Sequence, residues 1–451
     1  MPPDQPASPA TYARRLGLFS GTMAVIGGII GGGIFRTPAT VAERVGSPGL
    51  ILGAWIAGGV VALVGALCFG ELGQRRPKAG GGYVYLRETW GPLAAFLYGW
   101  ALLLVIATGA MAAVAVTFAN YALALAGLPA RFTVPVAIGA IVFLSAVNWV
   151  GVKPGAVTQN VLTLLKLAAL AVLIVAGLAA VLSPAGRPAP MAPAVGGRGV
   201  VVRLGSALVP ILFTYGGWQQ TNFLAEEMIE PEKNLPRALL LGVAVVVAVY
   251  LLANVAYLGV LGSAGLAASS APAADTMRIL FGPAGGTLIA AGIAVSTLGF
   301  LDLVILVTPR VLQAMAADGV FLPRLARLHP VYRTPTAAIA LLGVWAITLT
   351  LTGTFAQLVD YVTFADWTFF GLTVAGLFVY RARERTAGTA APGFRVPGYP
   401  WTPALFVAAA VYVVVSSVLA SLRNAAAGSA LLLLGVPVYR YWSGRSRRAR
   451  A

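Results

Sequence analysis

Two apolar stretches, each long enough to cross a bilayer, are interrupted by glycines where a membrane helix should run unbroken. The first reads IGGIIGGGIFRTP, centred on Gly31, Gly32 and Gly33. The second reads LFTYGGWQQTNFLAEE, centred on Gly216 and Gly217. A helix that stops in mid-bilayer leaves carbonyls bare at the end of one half and amides bare at the start of the next. Hydrocarbon tolerates such groups only where they face protein, a cavity or a ligand. Paired breaks that open two successive blocks of hydrophobic segments point to an internally repeated fold with a site between the broken helices.

The remaining sequence fits that constraint. The chain has 451 residues, 59% of them hydrophobic and 10% charged, with a mean hydropathy of +0.86; soluble domains carry roughly 25% charged residues. About twelve apolar runs reach the ~20 residues that a span needs. They lie near 18–40, 48–72, 93–121, 132–151, 157–183, 205–228, 236–263, 283–312, 335–353, 356–381, 401–422 and 424–442. The expected fold is therefore an all-α membrane protein embedded in the lipid bilayer.

A net charge of +17 would suit nucleic acid, but its distribution argues against that partner. Basic residues collect in alternate loops, including Arg75, Arg76, Lys78, Arg87, Arg310, Arg324, Arg333, Arg381 and the tail from Arg440. That pattern places both termini in the cytoplasm, for a multi-pass protein of the cell inner membrane. The single cysteine, Cys68, excludes a disulfide within the chain. The single histidine, His329, lies in a basic loop without companions, so neither a metal site nor a cofactor is expected.

Composition shifts divide the chain. Residues 1–17 form a cytoplasmic N-terminal segment, 18–183 a first repeat of five spans, and 184–204 a Pro- and Gly-rich extracellular linker. Residues 205–381 form a second repeat, 382–442 the last two spans with their preceding loop, and 443–451 a basic tail. The loop at 73–91 reads as a bent amphipathic piece leading into the third span, and 315–335 as a connector with a short helix or two.

The two breaks offer complementary poles. Amides of Gly33, Ile34 and Phe35 form a positive dipole end suited to a carboxylate. Carbonyls around Ile29 and Ile30, and those of Phe213, Thr214 and Tyr215 at the second break, suit an ammonium. Together they match a zwitterion. Lys166 sits about 20 Å of helix beyond Lys153, at 1.5 Å per residue, which is mid-bilayer depth; intramembrane ionisable groups are functional by default. Asp302 is the other charge within a span, about 12 Å along its helix from Arg310, near enough for the cytoplasmic vestibule; a structural or vestibule role fits it better than substrate binding, although a second role toward a proton or a cationic side chain stays open, and Gln219 is placed to reach the substrate side chain or a gate. Glu226 and Glu227 follow the second break, and Glu230 to Lys233 read as a solvated face. Tyr361, Phe364, Asp366 and Trp367 read as packing. Nothing supplies a nucleophile or a catalytic constellation, so no enzyme is expected.

Several ordered motifs now carry a resemblance. GGGIFRTP resembles the G-S-G-I-F motif of the amino acid–polyamine–organocation (APC) superfamily, with Gly32 in place of the serine. ELGQRRPKAGGGYVYLRETWG, FTYGGWQQTNFLAEEMIEPEKNLPRAL, PRVLQAMAADGVFLP with RTPTAAIA, and GFRVPGYPWTP are similar to further family segments in the family's order. Within the superfamily the sequence particularly resembles bacterial permeases related to L-type amino acid transporters. The resemblance implies a LeuT-like 5+5 inverted repeat with discontinuous helices 1 and 6, two additional C-terminal helices, and alternating access. It implies carboxylate contacts at Gly32 and Gly33, ammonium contacts at Ile29, Phe213, Thr214 and Gly216, and an aromatic gate at Phe213. It also implies that Lys166 occupies space that holds sodium in related carriers, with Ser296 and Thr297 beside it. The expected activity is sodium-independent transport of L-amino acids, neutral ones above all, by exchange or facilitated diffusion. Proton-coupled transport of cationic amino acids or polyamines, and a non-transporting sensor, are the alternatives. The sequence leaves an accessory subunit open.

Overall fold

A computed structural model describes residues 11–183, 199–353, 355–388 and 393–450, side chains of 355–364 and 446–450 excepted. Tyr361, Phe364 and most of the expected linker lie outside what is described. Among the described residues the secondary structure is helical, and β-type pairing is limited to one isolated bridge between Leu16 and Met228.

The first predicted span divides at its glycines into α1 (Leu18–Ile29), a 3-10 turn (Gly33–Phe35) and α2 (Thr37–Val45). Ser47, whose hydroxyl accepts from the Leu50 amide, and Pro48 together start α3 (Pro48–Arg75). The expected amphipathic piece is α4 (Gly82–Trp90), and Gly91, at φ +91°, turns the chain into the next span. That span is α5 (Pro92–Ala101) and α6 (Ala107–Ala126) joined by a π-helical turn, Leu102–Ile106. α7 (Thr133–Trp149) and α8 (Val152–Leu182) complete the first block.

The second block opens with α9 (Val200–Thr214), broken at Gly216 and Gly217 and continued as a 3-10 helix, Trp218–Glu227. α10 (Pro231–Ala268) and α11 (Pro272–Val307) each consist of two helices that meet at a kink, at Gly262 and Gly282, where φ is positive and the backbone leaves the helical region; the kinks lie at the end of the predicted span 236–263 and the start of 283–312. α12 (Pro309–Ala317) and a 3-10 turn (Pro323–Ala326) form the structured connector. α13 (Thr336–Thr352), α14 (Phe355–Ala387) and α15 (Trp401–Ala420) follow. The last segment splits into α16 (Leu422–Leu433) and α17 (Gly435–Arg450), so the basic tail continues a helix.

Among the described residues nine helical stretches are long and apolar enough to span a membrane; Leu18–Ile29 and Thr336–Thr352 are shorter apolar helices. Their outer faces are lipid-like, with Val142, Phe143, Val175 and Ile279 more than half exposed. α1 lies at the centre, packed against α8, α10 and α11.

Candidate functional site

α1 ends because Ile30 leaves the helical region at ψ 87°. The carbonyls released there are taken up by side chains from three other helices. Lys166 of α8, fully buried, points its Nζ at Ile30 O (2.7 Å), Gly27 O (3.2 Å) and Ser296 O (3.2 Å). The Ser296 hydroxyl of α11 lies within hydrogen-bond distance of Gly31 O (2.9 Å) and Ile30 O (3.2 Å). Tyr250 of α10 donates to Ile29 O at 3.0 Å. A cation at the C-terminal end of a half-helix also meets the negative pole of its dipole. Lys166 is thus buried against the carbonyls of the first break.

Three expectations change at this point. The Ile29 carbonyl, assigned to a substrate ammonium, already accepts from Tyr250 and from the Gly31 amide (2.9 Å). Thr297, expected beside Lys166, turns back on its own helix toward Ile293 O and Ala294 O, as mid-helix threonines do. Gln219 does not reach outward either: its Oε1 accepts from the Gly217 amide at 3.0 Å and satisfies a donor freed by the second break.

The second break meets the first backbone to backbone. Gly217 has φ +110°, and a Cβ there would lie 2.1 Å from Gly28 O. A Cβ on Gly28 would in turn lie 2.9 Å from Gly217 O, and one on Gly33 2.8 Å from the Thr214 side chain. Only glycine permits this crossing. Thr214 ties the halves further, since its hydroxyl lies 2.8 Å from that of Thr37 on α2. Gly32 differs: its Cβ would meet nothing within 4 Å. Gly216 borders a closed apolar cavity of about 10 Å³ with Leu212, Tyr215, Trp218, Trp367 and Phe370, the size of one water. The Phe213 ring is 50% exposed.

Asp302 is not in a vestibule. It is fully buried, and Asn148 of α7 donates to its Oδ1 at 2.8 Å. With the Gln159 amide oriented so that its nitrogen faces acceptors, it donates to Asp302 Oδ2 (3.3 Å) and Gly299 O (2.8 Å). Neighbouring helices thus close over a charge that a single-helix reading left near the surface.

The end bearing the basic loops is closed by a second cluster. Arg310, assigned from sequence to a solvated basic loop, is fully buried and pairs with Glu227 through Nε (2.9 Å) and Nη2 (3.2 Å). Its guanidinium also lies 6.0 Å from the Tyr12 ring centroid. The amides of Arg15 and Leu16 donate to Glu227 O, and that of Ile229 donates to Leu16 O. Glu230 and Lys233 pair at the surface, on the stretch expected to be a solvated face. Beside this closure a vestibule of about 250 Å³ is lined by Tyr12, Lys78, Arg87, Glu226 and Asp318 among others.

Sequence reasoning missed Tyr250, Thr37, Asn148 and Gln159. The available signal was weak: isolated polar side chains within apolar helices.

Comparison with known proteins places the sequence in a family. The sequence matches the family described as amino acid permease over residues 16–438. It is 35% identical to human b(0,+)-type amino acid transporter 1 over 373 residues, 82% of this chain and 76% of that one. It is 32% identical to the serine/threonine exchanger SteT of Bacillus subtilis (strain 168), covering 94% of this chain and 96% of that protein. Human large neutral amino acids transporter small subunit 2 is also 32% identical, over 96% of this chain and 82% of that one. The chain belongs to the amino acid permease family, within the APC superfamily.

Proposed function

We propose that this protein exchanges L-amino acids across the cell inner membrane, without sodium, by alternating access. In this reading residues 18–183 and 205–381 are inverted repeats of five spans, two further helices follow, and both termini are cytoplasmic. The observation that carries the proposal is the crossing of two broken helices at Gly28 and Gly217, with the Lys166 ammonium on the carbonyls of the first break. A fixed cation there supplies the positive charge that a sodium ion would otherwise bring.

The substrate carboxylate is assigned to the amides at Gly32 and Gly33, a positive dipole end with open space beside Gly32. Ile29 O already accepts two hydrogen bonds, whereas Thr214 O accepts one from Tyr250 (3.4 Å) and Phe213 O one from the Gly216 amide (3.1 Å); the ammonium is therefore assigned to the remaining lone pairs of Phe213 and Thr214 and to the turn at Gly216. Phe213, half exposed, is the ring proposed to cover the bound molecule. The apolar lining near Gly216 favours neutral side chains.

Counterflow in liposomes tests the proposal. Vesicles loaded with labelled alanine, serine or leucine should release label only when an unlabelled amino acid is supplied outside, equally with sodium or potassium salts. A strict sodium requirement, or no flux for any amino acid, would overturn it. One relative is named as a small subunit; using the purified chain alone shows whether one polypeptide suffices here.

A further inference from the structure

We infer that Asp366 is a specificity-determining residue, whose carboxylate pairs with a positive charge at the end of a substrate side chain; this rests on the exchange reading above. The inference begins with the buried acids. Glu227 is paired with Arg310, and Glu71 with Arg75 and Arg381. Asp302 accepts from Asn148. Asp366, in the membrane-spanning part of α14, has no hydrogen bond or ion pair among the described residues. A carboxylate held in the membrane without a cation or donors is costly, and such residues mark substrate or ion paths.

Its position fits a side-chain pocket. Asp366 is half-buried on α14 and keeps some accessible surface. One helical turn further along α14, on the same side of the helix, lie Phe369 and Phe370. Phe370 borders the cavity at Gly216, alongside Trp367. Phe369 packs on the Tyr98 ring with centroids 5.2 Å apart, and the Tyr98 ring meets Phe223 just past the second break. Asp366 therefore stands on a stripe that runs beside the second break, on a helix that packs against the π-helical turn of the third span. A zwitterion held at the breaks would send an extended side chain toward such a stripe. The aromatic walls suit the methylene stem of that chain, and the carboxylate suits its cationic end.

The test compares two substrates in the same vesicles. Purified protein in liposomes should exchange labelled L-arginine or L-lysine as well as labelled L-leucine. Asp366→Asn should lower exchange of the cationic substrates at least tenfold, with leucine exchange within twofold of the parent chain. Leucine exchange by the parent without arginine or lysine exchange would overturn this inference alone. Equal losses for both substrates in Asp366→Asn would assign the residue to structure. Leucine uptake driven by an inward proton gradient and abolished by Asp366→Asn would make it a proton carrier. Each of those last two outcomes also overturns the inference. Absence of leucine exchange in the parent chain would instead strike at the exchange reading itself.

Discussion

Replacing Gly217 by alanine tests whether the two breaks really touch backbone to backbone. The new Cβ would stand 2.1 Å from Gly28 O and 2.7 Å from Gly28 C, far inside van der Waals contact. The position also holds φ +110°, where a side chain strains the backbone by about 1–3 kcal/mol. Relief by shifting α1 is blocked, because its neighbouring carbonyls are held by Tyr250, Lys166 and Ser296. Overpacking of this kind costs about 1–3 kcal/mol, so the two effects together amount to about 2–6 kcal/mol. Gly32→Ala is the control: φ is −84° and nothing lies within 4 Å of the added carbon, so its stability should stay within about 0.5 kcal/mol of the parent. Thermal unfolding of the purified proteins, followed by tryptophan fluorescence, reads both. Gly217→Ala should melt well below the parent and lose exchange, while Gly32→Ala melts with it. If the two variants melt alike, the crossing is not constrained as argued.

Two further outcomes follow from single contacts. Lys166→Ala removes an ammonium shared by three carbonyls, each charge-assisted bond being worth about 1.5–3 kcal/mol; exchange should fall at least tenfold while gel filtration still shows one sharp species, and normal turnover would refute the role. Arg310→Met leaves Glu227 buried without its partner, at a cost of about 3–5 kcal/mol. Hydrogen exchange around Tyr12 and Leu16 should rise, and adding Glu227→Gln should restore part of the protection; unchanged exchange in Arg310→Met would contradict the closure described.

What was legible in the sequence were the features that violate a rule for membrane helices. Glycine clusters in the middle of an apolar run, and a lysine within one, thirteen residues beyond Lys153, stand out because lipid penalises bare backbone and charge. The helical spans and the bent amphipathic piece at 73–91, which contains α4, were visible because composition changes along the chain. The missing part consists of partners brought in by tertiary packing. Tyr250 reads as an ordinary interior aromatic until α10 lies against α1, and Arg310 reads as one more loop cation until Glu227, far away in sequence, packs beside it. Gln219 and Ile29 were assigned to a ligand because local sequence does not reveal which neighbour satisfies a given backbone group first.

The two ends of the crossing are held shut by unequal chemistry, and that inequality bears on the proposed transport cycle. Away from the basic loops, α2 meets α9 through the Thr37–Thr214 hydroxyl pair and a contact from Arg44 to the Ser206 carbonyl, the latter at the surface. A neutral hydrogen bond contributes about 0.5–1.5 kcal/mol net, and an exposed charged contact no more than about 1 kcal/mol. At the basic end, separation must break a buried ion pair and three backbone hydrogen bonds between the N-terminal segment and the 3-10 helix. Disrupting that pair alone costs about 3–5 kcal/mol if either charge stays buried. Opening away from the basic loops is therefore the smaller step from this conformation. A zwitterion entering between Gly33 and Thr214 must part the same residues that hold that end closed. Its binding energy then acts directly on the weaker closure, whereas the stronger one yields only if the whole Trp218–Glu227 segment moves and carries Glu227 away from Arg310.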